Sequence, residues 1–273
     1  MNHQQVTELL LGIGNAVCDH VYRSLQSQQI EKLSAIVEDA EEDTIYAIDK
    51  EVEDIIIPLL EKEAAAVGGI YLIAEGMGET GKVLLPQGIK ETDASVRIIM
   101  DPIDGTRGIM YNKRSAFFLA AAAPNRPGEM YLQDLELAVM TEIPTSKAYL
   151  SDSFFAQRSK GARGIRRNLF DGTQTSLDVR PSTAHSIIGG FAQIARFFPP
   201  GKSILAEIEE ELILNLGKIE PGRALVFEDQ YISSGGQLYE LLSGHDRFVA
   251  DMRTALYRQL EKTGKVTGLC CHP

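Results

Sequence analysis

The sequence predicts an α/β fold of mixed α+β type, and three observations carry the prediction. Residues 4–26 repeat apolar side chains at helical spacing. Short apolar runs between residues 70 and 143 each end on an acid or a proline. The second half alternates strand-like runs with a helical one, which is the pattern of a layered α/β arrangement.

Each element has its own justification. Val6, Leu9, Leu10, Ile13, Val17, Val21 and Leu25 recur with a period near 3.6 and predict an amphipathic helix. The acidic stretch from Glu38 to Asp43 reads as a solvated loop. Asp49 opens a second helical pattern, Val52, Ile55, Ile56, Leu59 and Leu60, which its carboxylate could cap. Ile70 to Ala74 reads as a strand ending at Glu75, and Val96 to Met100 as a strand ending at Asp101. Phe117 to Ala123 and Glu136 to Ile143 are further strands, closed by Pro124 and Pro144. Arg158 to Arg167 is basic, contains Gly161 and Gly164, and reads as a loop or hairpin with a positive face. Then follow a strand at 186–191, a helix at 203–216 and a strand at 224–227. The turn Ser233-Ser234-Gly235-Gly236 leads into a helix at 237–242, and a strand at 247–250 comes last. A boundary near 150 separates the strand-rich first part, residues 1–150, from the rest, residues 151–273.

Composition narrows the function classes. The 273 residues carry 38 Asp+Glu against 27 Lys+Arg, a net charge of −11. The 44% hydrophobic and 24% charged content is that of a globular protein, not of a disordered or fibrous one. The acidic balance argues against a nucleic-acid polymer as partner and suits a protein that collects divalent cations. Three cysteines, Cys18, Cys270 and Cys271, make no disulfide framework, and they read as small buried thiols. The chain starts without the basic and apolar stretches of a signal peptide. Its longest apolar run, 116–124, is too short to span a membrane. A reducing cytoplasm and no membrane partner are expected.

The string that carries chemistry is Asp101-Pro102-Ile103-Asp104-Gly105-Thr106. Two carboxylates after a buried apolar strand are costly unless a cation meets them. Pro102 is expected to stop the strand and Gly105 to allow a sharp turn, so that both acids face one space. Asp101, the Ile103 carbonyl and Asp104 are hard oxygen donors of the kind Mg²⁺ takes. Backbone N–H groups at Gly105 and Thr106 could hold phosphate oxygens. With average residue usage this pattern arises by chance about once in 10⁴ chains of this length.

The string resembles the inositol monophosphatase family, the lithium-sensitive metal-dependent phosphatases related to fructose-1,6-bisphosphatase. Other stretches are similar to the family in the same order. Thr44-Ile45-Tyr46-Ala47-Ile48-Asp49 looks like its Thr-x-x-x-Asp element, and Ala74-Glu75-Gly76 stands where the family has a strand ending in Gly-Glu-Glu. Ala156 to Ala162 resembles its basic glycine hairpin. The resemblance covers residues 5–165 well and the remainder loosely. It implies a two-domain sugar-phosphatase fold, layered αβαβα, and two or three Mg²⁺ ions held by Glu75, Asp101, Ile103 and Asp104. It also implies that Asp49 and Thr106 activate a water, and that Gly105 and Thr106 bind the phosphate. Gly235, Gly236 and Asp251 fall in the segment that lines the family's substrate pocket. A small phosphorylated substrate is implied, and the family often forms homodimers. His20 and His185 have no part in that chemistry and read as structural.

The departures are as informative. Gly76 replaces the second acid of the Gly-Glu-Glu element, and Arg107-Gly108-Ile109 replaces the pair that usually follows Asp-Gly-Thr. Arg107 either binds a second anionic group or pairs with an acid. The family's Trp-Asp element is absent, since the chain has no Trp. By pattern its Asp falls past Pro273, and by spacing it falls at Asp229; a third alternative is that the ligand is lost. Three readings therefore stand together. The first is a Mg²⁺-dependent phosphomonoesterase for a phosphorylated polyol, sugar or nucleotide. The second is a bisphosphatase using Arg107 and the basic hairpin. The third is a non-catalytic metal- or ligand-binding protein.

Overall fold

The computed structural model describes residues 1–27, 36–39, 44–74, 77, 81–197, 200–216 and 222–264. It divides into two compact units, Met1–Glu38 with Ile45–Val179, and Asp39–Thr44 with Arg180–Pro273.

The first unit is built on helix α1 (His3–Gln26), whose N-terminus Asn2 caps by accepting from the Gln5 N–H at 3.3 Å. Strands β1 (Ile36–Asp39) and β2 (Thr44–Tyr46) form a small two-stranded sheet, and helix α2 (Ala47–Ala64) follows. Asp49 lies in the first turn of α2, where a carboxylate is favoured by the helix dipole. Of the acidic stretch, Glu38 and Asp39 belong to β1, and Ala40 to Asp43 lie outside the described residues.

The main sheet has eight strands. They are β3 (Ile70–Ala74), β4 (Lys82–Leu85), β5 (Val96–Asp104), β6 (Ala116–Pro124), β7 (Leu137–Ile143), β8 (Leu150–Gln157), β9 (Gly161–Asn168) and β10 (Gln174–Leu177). Their order is β10-β9-β8-β7-β6-β5-β3-β4. β3 and β5 run parallel, and the other pairs are antiparallel. Helix α1 lies on β6, β7 and β8, and α2 on β4 and β5. The core between them is made of side chains such as Leu10, Ile13, Val17, Ile56, Ile98 and Phe118, all essentially inaccessible to water. Each such burial contributes about 1.5–3 kcal/mol. At Gly14 the helix comes so close to the sheet that a Cβ would lie 2.6 Å from Thr141 Oγ1 and 2.8 Å from the Phe118 ring. Thr141 and Phe118 thus point toward α1, and their strand neighbours Glu142 and Phe117 point to the opposite face.

β8, β9 and β10 lie beyond residue 150, yet they extend this sheet rather than starting a second part. The ladder ends at Leu177, and the compact unit that contains it runs to Val179. A run of hydrogen-bonded strands is one cooperative body, and a change of composition does not interrupt it.

The second unit contains β11 (Phe191–Ile194) paired parallel with β12 (Asp246–Ala250). Helix α3 in the first unit spans Thr106–Met110; here α4 (Lys202–Leu216), α5 (Ser234–Leu242) and α6 (Arg253–Glu261) follow. The strand expected at 186–191 begins only at Phe191. Residues before it form a turn whose carbonyls, Ser186 and Ile188, accept from the Arg247 guanidinium. The run at 224–227 provides one bridge, Phe227 to Phe191, instead of a strand. α5 starts three residues earlier than expected because Ser233 caps it, accepting from Gly236 N–H at 2.9 Å. Among the described residues no helix is long and apolar enough to cross a membrane.

Candidate active site

The site grows out of the end of β5. In a regular strand, residues three apart face opposite ways. Asp101 and Asp104 would then be separated by the sheet. Instead Asp101 pairs with Leu119 and Asp104 with Phe117, so three residues of β5 span two of β6. The extra residue is a β-bulge, and it turns Asp104 back onto the face of Asp101. Pro102 lies inside it, having no N–H to give to the ladder. Pro102 therefore bends β5 and does not stop it: the strand continues to Asp104. The bulge is closed by the Ile103 N–H, which donates to Asp101 Oδ1 at 3.1 Å.

Gly105 follows with φ 95° and ψ 26°, a left-handed conformation open to glycine and costly for other residues. It reverses the chain into α3. The Thr106 hydroxyl then lies 2.8 Å from the Ile103 carbonyl and 3.3 Å from Asp49 Oδ1. One hydroxyl thus joins the first turn of α2 to the bulge of β5. Five expected residues are brought together in this way: Asp49, Asp101, Ile103, Asp104 and Thr106. Asp49 is 57 positions from Thr106 in sequence. Gly105 is the hinge between them. The first backbone bond of α3 runs from Ile109 N–H to the Gly105 carbonyl, so the Gly105 and Thr106 N–H groups precede the helical ladder.

Glu75 lies outside the described residues. The strand before it, β3, is parallel to β5, with Ala74 opposite Met100. Among the described residues no three His, Cys, Asp or Glu side chains group closely enough to hold a metal ion. The chemistry of the donors present nonetheless fits Mg²⁺: two carboxylates, Asp101 and Asp104, and a carbonyl, Ile103, which keeps a second lone pair beyond the Thr106 bond.

The substrate-side candidates lie in the second unit. Gly235 and Gly236 occupy the first turn of α5 and are buried; a Cβ on Gly236 would strike the Tyr231 ring at 2.2 Å. Asp251 is held by Arg253, whose Nε is 2.9 Å and Nη2 2.6 Å from its two oxygens, and it accepts from the Arg253 N–H. That arrangement starts α6. Asp229 lies close enough to Asp246 to help push the Asp246 carboxyl above its ordinary range, after burial, the main cause, and Glu240. Cys270, Cys271 and Pro273 lie outside the described residues, and Cys18 is buried, its thiol pushed up to about 11 by loss of water.

The basic hairpin is placed otherwise than expected. Gln157, at its turn, is level with Leu137 and Ala122, five residues along β6 from the partner of Asp104. That offset, about 17 Å along the strands and three strands across, puts the turn about 20 Å from Asp104. Three of its arginines are also engaged. Arg158 donates to the Gln133 and Leu135 carbonyls, Arg166 is bidentate on Asp152 at 2.6 and 2.7 Å, and Arg167 on Asp19 at 2.7 and 3.1 Å. The turn of the hairpin therefore stands well away from Asp104. Arg107, exposed in the first turn of α3, is a cation one residue from Thr106.

One acid near the site was not singled out from the sequence. Glu142 pairs with Phe117, which pairs with Asp104, so all three share a row and a face. Burial pushes its carboxyl up to about 7, and the neighbouring Asp152 adds to the shift, while bonds from Ser115 and the Asp152 N–H oppose it. The available signal was an acid at an alternating position of an otherwise apolar strand.

No protein-family model matches the chain, and no curated protein matches it in sequence. Solved structures do match in fold. Leishmania major fructose-1,6-bisphosphatase in holo form superposes with a TM-score of 0.59 at 14% identity, covering 86% of this chain and 70% of that one. The extragenic suppressor protein suhB from Bartonella henselae gives 0.57 at 17% identity, covering 88% and 76%. These identities carry the fold alone. The chain has the mixed α+β fold of these two proteins.

Proposed function

We propose that this chain is a Mg²⁺-dependent phosphomonoesterase acting on a small phosphorylated polyol, sugar or nucleotide. The observation that carries the reading is the Thr106 hydroxyl, within reach of both Asp49 and the Ile103 carbonyl, beside the bulge that puts Asp101 and Asp104 on one face. The phosphatase named among the fold neighbours supports it by analogy only.

Asp101, Asp104, the Ile103 carbonyl and Glu75 would hold the metal. Bound there, Mg²⁺ supplies charge neutralisation for the phosphoryl group and a lowered pKa for water. The chain's own groups do the rest. Asp49 fixes the Thr106 hydroxyl, which orients the attacking water; the water's proton passes through that hydroxyl to Asp49. The water oxygen bonds to phosphorus as the ester P–O bond breaks on the opposite side, and the leaving alkoxide takes a proton from solvent. No side chain is phosphorylated. The Gly105 and Thr106 N–H groups hold the phosphate oxygens as charge moves onto them.

Arg107 favours a second reading, a bisphosphatase in which its guanidinium meets the second phosphate. A panel of mono- and bisphosphates, assayed for phosphate release with and without Mg²⁺, tests both. Turnover that requires Mg²⁺ and drops at least 10²-fold in Asp104→Asn and Asp49→Asn is expected. Unchanged activity in Asp104→Asn would overturn the reading. Metal and ligand binding without any turnover would favour a non-catalytic role.

A further inference from the structure

We propose that Glu142 is a positioning residue for the phosphate-binding turn, holding in place through Ser115 the segment that returns from α3 to β6. This rests on the phosphatase reading of the turn, but the contacts stand apart from it. Two ties fix the return segment 111–115 to the end of β7 and the turn after it. Ser115 Oγ donates to Glu142 Oε1 at 2.7 Å. Asn112 Nδ2 donates to Ser146 Oγ at 2.8 Å while Ser146 N–H donates back to Asn112 Oδ1 at 2.9 Å. Within the segment, the Tyr111 and Lys113 N–H groups bond back to the Arg107 and Gly108 carbonyls of α3. A shift at Ser115 is therefore passed along backbone bonds to the residues just after Gly105 and Thr106.

The Asn112–Ser146 tie is neutral at any pH of interest, whereas the Glu142 tie is not. Glu142 sits across from the next strand's Asp152, whose N–H donates to Glu142 Oε2 at 3.3 Å. The cation facing this pair is Arg166 on β9, and its fork is occupied by the Asp152 carboxylate. On the other side Phe117 separates Glu142 from Asp104. Two carboxylates thus share one guanidinium. When Glu142 is neutral the pair is balanced; when it ionises, a second negative charge stands opposite Asp152 in a site poor in water. The bonds from Ser115 and the Asp152 N–H themselves favour the ionised form, but loss of water, aided by the Asp152 charge, outweighs them, so ionisation destabilises the closed row and neutrality keeps it closed.

The carboxyl titrates at about 7, so between pH 6 and pH 8 its neutral fraction falls about tenfold. The test compares the intact chain with Glu142→Gln, which keeps the shape and one acceptor oxygen, as the neutral carboxyl does, but cannot ionise. With p-nitrophenyl phosphate and MgCl₂, the ratio of Glu142→Gln to wild-type kcat is expected to rise between pH 6 and pH 8, by up to about tenfold, with KM ratios unchanged. Without substrate or metal, the amides of Ile109, Tyr111 and Lys113 should exchange hydrogen faster in wild type than in Glu142→Gln at pH 8 and equally at pH 6. Ser115→Ala should exchange fast at both. Ratios that stay constant across this range overturn the proposal and leave Glu142 a packing residue. Should wild type hydrolyse no phosphomonoester, the phosphatase reading falls and the exchange ratios alone decide the positioning role. Should Glu142→Gln not fold, a pH-independent exchange difference between wild type and Ser115→Ala overturns the proposal, and one that closes toward pH 8 supports it.

Discussion

Gly105→Ala separates the conformational demand of the candidate site from its chemistry. Gly105 has φ 95° and ψ 26°, and it joins Asp104 to Thr106. An alanine forced into the left-handed region costs about 1–2 kcal/mol, and φ here lies past the usual left-handed well, so the upper figure applies. Two outcomes follow from how the turn responds. If the turn keeps its shape, the unit loses about 2 kcal/mol, a drop in Tm of about 4–8 °C for a body of this size. If the turn relaxes, stability falls less, but Thr106 leaves Asp49 and the Ile103 carbonyl, and kcat falls instead. Gly105→Asn serves as the control, because Asn tolerates the left-handed region and should lose about half as much. Thermal unfolding by circular dichroism and phosphate release read the two quantities on the same samples. Unchanged Tm together with unchanged kcat in Gly105→Ala would refute the claim that this φ is needed. An Asn variant as damaged as the Ala variant would show that the cost comes from bulk and not from backbone conformation.

Two more predictions concern the sheet. The Glu142 carboxyl is raised from 4.5 to about 7 on folding, so the unfolded chain releases that proton first as pH rises; stability should therefore fall between those values, by about 3 kcal/mol, and stay level above. Urea titrations of wild type and Glu142→Gln from pH 4.5 to 8 check this, and parallel profiles would contradict it. At Gly14 an added methyl meets Thr141 and Phe118 closer than contact distance, so Gly14→Ala should cost about 1–3 kcal/mol by overpacking. Combining it with Thr141→Ala should recover part of that loss in a double-mutant cycle, and strict additivity would locate the strain elsewhere.

How much was legible depends on whether a feature is local. The helical periodicity of residues 4–26 needed only side-chain spacing, and α1 runs His3–Gln26. The four apolar runs from Ile70 to Ile143 became β3, β5, β6 and β7 because burial of alternating faces is written residue by residue. The exit from β5 was misjudged: proline's missing N–H reads equally as an end or as a bulge, and only the pairing to β6 distinguishes them. The basic run 158–167 read as a positive face because charge is visible in sequence and its partners are not. Asp152 and Asp19, which hold Arg166 and Arg167, are 14 and 148 positions away. Residues 186–191 failed as a strand for a similar reason, since the Arg247 guanidinium that organises them lies 59 positions off.

The sequence by itself determined the donors of the candidate site. Asp101, Ile103, Asp104 and Thr106 are neighbours in the chain, and the residue types alone specify hard oxygen chemistry and a turn that only glycine makes comfortably. Tertiary structure decided everything that needed two distant segments to meet. The bulge that sets Asp101 and Asp104 on one face exists because β6 offers two residues where β5 offers three. Asp49 reaches Thr106 because α2 lies on β5. Glu142 joined the site's surroundings because three strands put it in one row with Phe117 and Asp104. Local propensity acts over a few bonds, whereas register and burial are settled only when the whole sheet has closed, and that is where the surroundings of these carboxylates were fixed.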